Sequence, residues 1–317
     1  MKKAPIITAI VLMVLGILTF VCVMAVYGFD FSKLSTENLQ TNLHEISDSF
    51  HSISIDTDTS NITLLPSPDG TCRVECLETD KLRHNVKVED GTLSVTSQDH
   101  RQWFDYIGIF QKSPGLKLYL PERIYKELSI DTHTGNITLP KDFSFDSISI
   151  HATTADVSCE ASATNAVEIH LTTGDLRLAN TKTGTISLSS DTGDMKLEHI
   201  DCERDISITR TTGDLNMESV TCGSLSVSSD TGDAELRNVI VDGQLSIKAS
   251  TGDVTFDRCD GGNITVNTTT GDVKGTLLTG KQFSGTATTG SVRLPQSTTG
   301  GQCKINTTTG DIHITVP

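Results

Sequence analysis

Residues 186–197 read ISLSSDTGDMKL, residues 206–217 read ISITRTTGDLNM, and residues 225–236 read LSVSSDTGDAEL. Each stretch alternates apolar and polar residues, breaks at Thr-Gly-Asp, and resumes the alternation. The motif or a close variant occurs ten times at a spacing of 19 or 20 residues, centred on Gly135, Ala155, Gly174, Gly193, Gly213, Gly232, Gly252, Gly271, Gly290 and Gly310. A turn signal returning at such a period marks a solenoid, in which each repeat is one coil stacked on the last.

The positions seven and five residues before each centre are apolar, as in Ile186 and Leu188 or Ile206 and Ile208. The positions two and four after it are apolar again, as in Met195 and Leu197 or Val254 and Phe256. A third apolar position follows at Ile200, Val220, Val239, Cys259 and Leu278. Period-two alternation puts one face of a strand in a core and the other in water. Each coil is therefore strand, tight turn, strand, corner. Stacking pairs each strand in parallel with its copy one repeat away, roughly 4.8 Å along the axis. The expected architecture is all-β: a right-handed parallel β-solenoid of about ten 19–20-residue coils, its hand following the crossover preference of parallel strands.

The turn chemistry is legible. Glycine at Gly135, Gly174, Gly193, Gly213, Gly232, Gly252, Gly271, Gly290 and Gly310 permits φ > 0 where the chain reverses. The aspartates that follow (Asp156, Asp175, Asp194, Asp214, Asp233, Asp253, Asp272 and Asp311) can accept hydrogen bonds from nearby backbone N–H groups. A threonine precedes every centre, so stacked hydroxyls can form a ladder. Ala155, Asn136 and Ser291 depart from the motif and predict altered turns.

Ala4 to Tyr27 is almost entirely apolar and follows Lys2 and Lys3. That length suits one membrane span, and the lysines keep the N-terminus in the cytoplasm. A cleaved signal peptide is the rival reading, with Val23-Met24-Ala25 as a weak cleavage site. The expected division is a cytoplasmic tail over 1–3, a transmembrane anchor over 4–28, a stalk over 29–48, an N-terminal β cap over 49–126 and the solenoid over 127–317. This places the chain in a cell membrane as a single-pass protein with its C-terminal domain extracellular. A net charge of −15 excludes a nucleic-acid footprint.

In the cap segment Ile53 and Ile55 alternate before Thr59-Ser60-Asn61, a degenerate copy of the motif. Asp69-Gly70 and Asp90-Gly91 are hairpin signals. Trp103, Phe104, Tyr106 and Phe110 cluster within eight residues; they form either a loop folded on the cap or an aromatic contact surface. The last repeat runs straight to Pro317, so that end is expected to expose strand edges open to end-to-end self-association. Seven cysteines lie beyond the span. Of these, Cys202 and Cys222 occupy the same position in adjacent coils, close enough for a disulfide.

The apolar N-terminal segment, the Ile-x-Ile and Leu-x-Leu-Pro elements at Ile53–Ile55 and Leu118–Pro121, and the run of Thr-Gly-Asp coils resemble the bacterial putative-adhesin β-strand-repeat family of unknown function, which includes membrane-anchored Lia-operon-like proteins. The resemblance covers about residues 50–317. It implies a bacterial surface β-solenoid tied to adhesion or envelope stress, and it brings no catalytic residues.

Two metal readings follow from the residues. The aspartate column could take Ca²⁺, because carboxylates about 5 Å apart repel by roughly 1 kcal/mol per pair in water. Asp131, His151 and His170 share one outward position in consecutive coils, with His133 beside them, and could hold Zn²⁺. In both cases the simpler reading, turn satisfaction or an exposed polar ladder, needs no ion and no cofactor. No Ser/His/Asp, Cys/His or phosphate-loop motif supports catalysis. The expected function is a noncatalytic surface scaffold or adhesin contacting envelope polymer, a host surface or a membrane protein. The alternatives are an accessory of envelope-stress signalling and a carbohydrate-active β-helix enzyme.

Overall fold

The computed structural model describes residues 4–26, 28, 39–100, 114–297 and 299–317. Ala4–Val26 is a helix of 23 residues. At 1.5 Å per residue it is about 35 Å long, enough for the roughly 30 Å hydrocarbon core of a bilayer. Its Leu12, Leu15 and Leu18 side chains are exposed, not packed on the rest of the chain.

Among the described residues, 25 strands form one continuous sheet wound into a solenoid. In the regular coils Leu128, Ile148, Val167, Ile186 and Ile206 stack in parallel register. On the second face Ile137, Val157, Leu176, Met195 and Leu215 do the same. All of them are buried. A one-residue slip would turn each set out to water, so the apolar columns specify the register.

The turns depend on glycine for two reasons. Gly213 has φ 136°, and a Cβ there would lie 2.0 Å from the carbonyl oxygen of Gly193 in the neighbouring coil. Ala155 is absent from the residues of positive φ, so its turn differs, as the sequence suggests. Six residues after the turn centre, the corner carries a second conformational demand. Asn180, His199, Ser219, Asn238 and Arg258 are all left-handed, with φ between 51° and 56°.

Both ends depart from simple succession. At the N-terminal end, Ser52–Thr59 lies between Ile124–Thr134 and Thr92–Asp99. Asn61–Pro66 lies between Ile137–Leu139 and Gly115–Leu120. Beyond these the sheet becomes antiparallel: Leu82–Glu89 pairs with Thr92–Asp99, Cys72–Glu78 with Gly115–Leu120, and Gln40–Ile46 with Cys72–Glu78. Residues 40–46 are thus a strand and not part of a stalk. The inward side chains of Asn42, His44 and Ile46 are mostly polar, which hides the strand from a hydrophobicity pattern. Asp90-Gly91, with φ 49° and 72°, makes the expected hairpin turn. Asp69-Gly70 does not, because Gly115–Leu120 intervenes between the strands it joins. There the Asp69 carboxylate accepts from Thr71 and Ser67, which draws its pKa down to about 2.

At the C-terminal end the chain doubles back. Val254–Thr270 pairs with Gln302–Thr309, and Gln302–Thr309 in turn carries Gln282–Thr289. Ile312 likewise sits between Val273 and Val292. The last repeat in sequence is therefore the penultimate coil in space, and residues 282–293 form the outer face. Core quality explains the order. Cys303, Ile305, Ile312 and Ile314 are apolar and buried, whereas the outer coil offers Phe283, Gly285 and Ala287, all only half-buried. The more apolar repeat takes the position covered on both sides. Leu278, expected in the core, is 42% exposed, and Leu277 replaces it opposite Cys259 after a register shift.

Candidate functional site

The aspartate column is a hydrogen-bond ladder between coils. The Oδ1 atom of Asp156 accepts from the backbone N–H of Asp175 at 3.0 Å, Asp175 from Asp194 at 2.9 Å, Asp194 from Asp214 at 2.8 Å, and Asp214 from Asp233 at 2.8 Å. The series continues through Asp233, Asp253 and Asp272 to Asp311. Asn61 and Asn136 begin it, since an amide oxygen serves as well. Asp311 closes it by accepting from the N–H and hydroxyl of Ser291, and these bonds hold its pKa below the usual carboxylate value. Ser291, the one residue in the column without an Oδ1 acceptor, stands on the outermost coil. The threonine column is in register, but its coupling runs through the backbone: Gly174 N–H donates to Thr192 O, and Gly193 N–H to Thr212 O. Among the described residues no hydroxyl bond joins these threonines.

Arg210 lies beneath this ladder, 2% exposed. Its guanidinium donates to the carbonyl oxygens of Gly213, Gly232 and Asp233. Burial lowers its pKa, while Asp214, Asp194 and Asp233 act in the opposite direction. Among the described residues, the flanking hydroxyls of Ser190 and Ser229, and Arg210 Nε, have no hydrogen-bond partner. Outside, a shallow groove lined by Asn136, Asp156, Asp175, Arg177 and Lys196 follows the turns. Arg177 bridges Glu160 at 2.7 Å and Glu198 at 2.9 Å across its rim.

The expected zinc set is aligned but not gathered. Asp131, His151 and His170 are register partners, yet the two imidazole centroids are 6.0 Å apart. His133 faces Asp58 at 3.6 Å, and His170 Nδ1 is engaged by the Ser189 hydroxyl. Their donor atoms do not converge within 4.8 Å, because parallel exposed side chains fan into solvent. Cys202 and Cys222 are buried free thiols and not a disulfide. Burial raises both pKa values, that of Cys222 to about 12, so neither is a ready nucleophile. The aromatic segment Trp103, Phe104, Tyr106 and Phe110 falls outside the described residues.

What sequence reading missed lies in the cap. Ser60 Oγ is 3.0 Å from His84 Nε2, and His84 Nδ1 is 3.1 Å from Glu78 Oε1. The connectivity is that of a nucleophile, base and acid. Ser60, however, is 1% exposed, and the N–H groups of Ser60 and Asn61 are committed to Thr134 O and Pro114 O. Neither N–H is left to stabilise an oxyanion, and a substrate cannot reach the hydroxyl. The three groups act as a buried polar network. No short motif announces it, because the residues come from three separate segments.

An N-terminally capped parallel β-solenoid, with glycine turns and an acidic ladder joining its coils, is the class of protein these features define. The Toastrack DUF4097 family model matches residues 50–239 and 203–317, and the chain belongs to that family. Similar crystal structures include a “putative adhesin” from Parabacteroides distasonis, at 14% identity and TM-score 0.49, covering 88% of this chain and 98% of that one. A second “putative adhesin”, from Bacteroides fragilis, has 15% identity and TM-score 0.43, covering 89% and 99%. A “putative lipid binding protein” from Parabacteroides distasonis has 14% identity and TM-score 0.47, covering 88% and 98%. Comparison with curated proteins finds no match.

Proposed function

We propose that the protein is a noncatalytic cell-surface scaffold or binding module. In this reading Ala4–Val26 anchors it in the cell membrane, with Lys2 and Lys3 on the cytoplasmic side and the solenoid outside. The observation that carries the reading is the use of the acidic column: the carboxylates of the repeat are engaged with the N–H groups of the next coil. The repeated chemistry builds shape, and the product is a long, regular, acidic surface suited to contact with a polymer or a second protein. Ligands of this reading are envelope polymer, a host surface or a membrane partner, and the outer coil at residues 282–293 is the edge for end-to-end association.

The test uses full-length protein in nanodiscs, incubated with cell-wall sacculi and separately with solubilised membranes, with and without Ca²⁺. Saturable binding to sacculi is expected. Recovery of a single membrane protein instead would replace the scaffold by a signalling accessory. Protease added to intact cells should remove the solenoid; its full protection would overturn the topology.

A further inference from the structure

The cap holds a set of donor atoms that the buried network only partly uses. The antiparallel pairing sets Asn42 opposite Cys76 and His44 opposite Val74. Directly opposed residues share a face, and Cys76 and Glu78 are two apart on one strand, so His44, Cys76 and Glu78 all point inward. One donor atom from each lies within 4.8 Å of the other two, and among the described residues no other group of three does so. Cys76 is 0% and Glu78 3% exposed, while His44 is half-buried at the edge.

The surroundings are arranged around Glu78. Its Oε2 accepts from the Asn42 amide at 2.5 Å, and its Oε1 accepts from the backbone N–H of His84 and faces the His84 ring at 3.1 Å. Ser60 fixes the far nitrogen of that ring. Burying a carboxylate is costly, and a divalent ion relieves that cost.

We propose that His44, Cys76 and Glu78 bind a Zn²⁺-class transition-metal ion. The donor set of one thiolate, one imidazole and one carboxylate is borderline-soft, which selects Zn²⁺ over Ca²⁺ or Mg²⁺. Tetrahedral zinc places its donors roughly 3.5 Å apart. The half-buried His44 ring is the arm that closes that gap. His84 and Asn42 then orient the carboxylate from outside the coordination sphere, and Ser60 orients His84. Binding releases the Cys76 proton to solvent and leaves the fourth position to water on the His44 side. The ion would staple Gln40–Ile46, the first described strand after the helix, to the body of the cap.

The test is metal titration of the full-length protein in detergent after chelation. With Co²⁺ as probe, one equivalent should bind with tetrahedral d–d bands and a thiolate-to-cobalt charge-transfer band, both removed by one equivalent of Zn²⁺. Cys76→Ser should abolish the charge-transfer band, and Asn42→Ala should weaken binding by about 10-fold. His44→Ala, at a half-buried position, keeps the test valid if Cys76→Ser fails to fold, and it too should lose tetrahedral cobalt. Cys72→Ser and His151→Ala should leave the spectrum unchanged. Zinc should raise the Tm of the parent but not of His44→Ala. Failure of the parent to bind stoichiometric cobalt, or a charge-transfer band that survives Cys76→Ser, would overturn the proposal.

Discussion

The aspartate that follows each turn glycine bonds to the next coil's turn instead of its own. The consequence is a sharp contrast between two substitutions. Asp175→Asn keeps the Oδ1 acceptor for Asp194 N–H and removes one like charge from the column, so its stability should stay within about 0.5 kcal/mol of the parent. Asp175→Ala strips the acceptor, and a net cost of about 1–2 kcal/mol is expected. Chemical denaturation of both variants checks this, and equal losses would contradict the ladder. Asp311 adds a pH signature. Its folded pKa lies below the usual aspartate value because Ser291 donates to it through its backbone N–H and its hydroxyl. A carboxyl depressed by folding stabilises the fold above its unfolded pKa, and that contribution disappears as pH falls through the folded value. Asp311→Asn should therefore lower Tm at pH 7, and its difference from the parent should shrink as pH falls below about 4.

The corner that ends each coil repeats a backbone demand that the sequence meets unevenly. Asn180, Asn238 and His199 tolerate the left-handed region, whereas Ser219 and Arg258 have side chains less suited to it. Ser219→Gly and Arg258→Gly should each stabilise the protein by about 0.5–1 kcal/mol, the relief of strain exceeding the added freedom of the unfolded chain. Melting each variant beside its parent checks this; destabilisation would mean that the native side-chain contacts outweigh the strain. The turns were legible because glycine marks them. The corners were not, because Asn, His, Ser and Arg share no signal at that position.

Across the whole molecule, the order of coils in space differs from their order in sequence at the C-terminal end. Thr270 adjoins Thr309, and Thr309 adjoins Thr289. Adjacent strands are about 4.8 Å apart, within reach of a disulfide, and strands two apart are not. In an otherwise cysteine-free protein, Thr270→Cys with Thr309→Cys should crosslink on mild oxidation, and Thr270→Cys with Thr289→Cys should not. The reverse result would restore simple succession.

The sequence alone determined the solenoid, because alternation, period and turn glycines are local properties repeated ten times. It also marked the apolar N-terminal helix by length and composition. The aspartate column was visible as a column, though not the direction of its bonds. Ser291 carried a trace of the threading, since only the outermost coil can dispense with a side-chain acceptor for a coil beyond it. Tertiary structure decided which repeat fills the penultimate coil, whether the Asp131–His151–His170 column converges, and how the cap assembles His44, Cys76, Glu78, His84 and Ser60. These depend on contacts between distant segments, where burial of the more apolar surface and the fanning of exposed side chains act, and a local pattern holds no record of either.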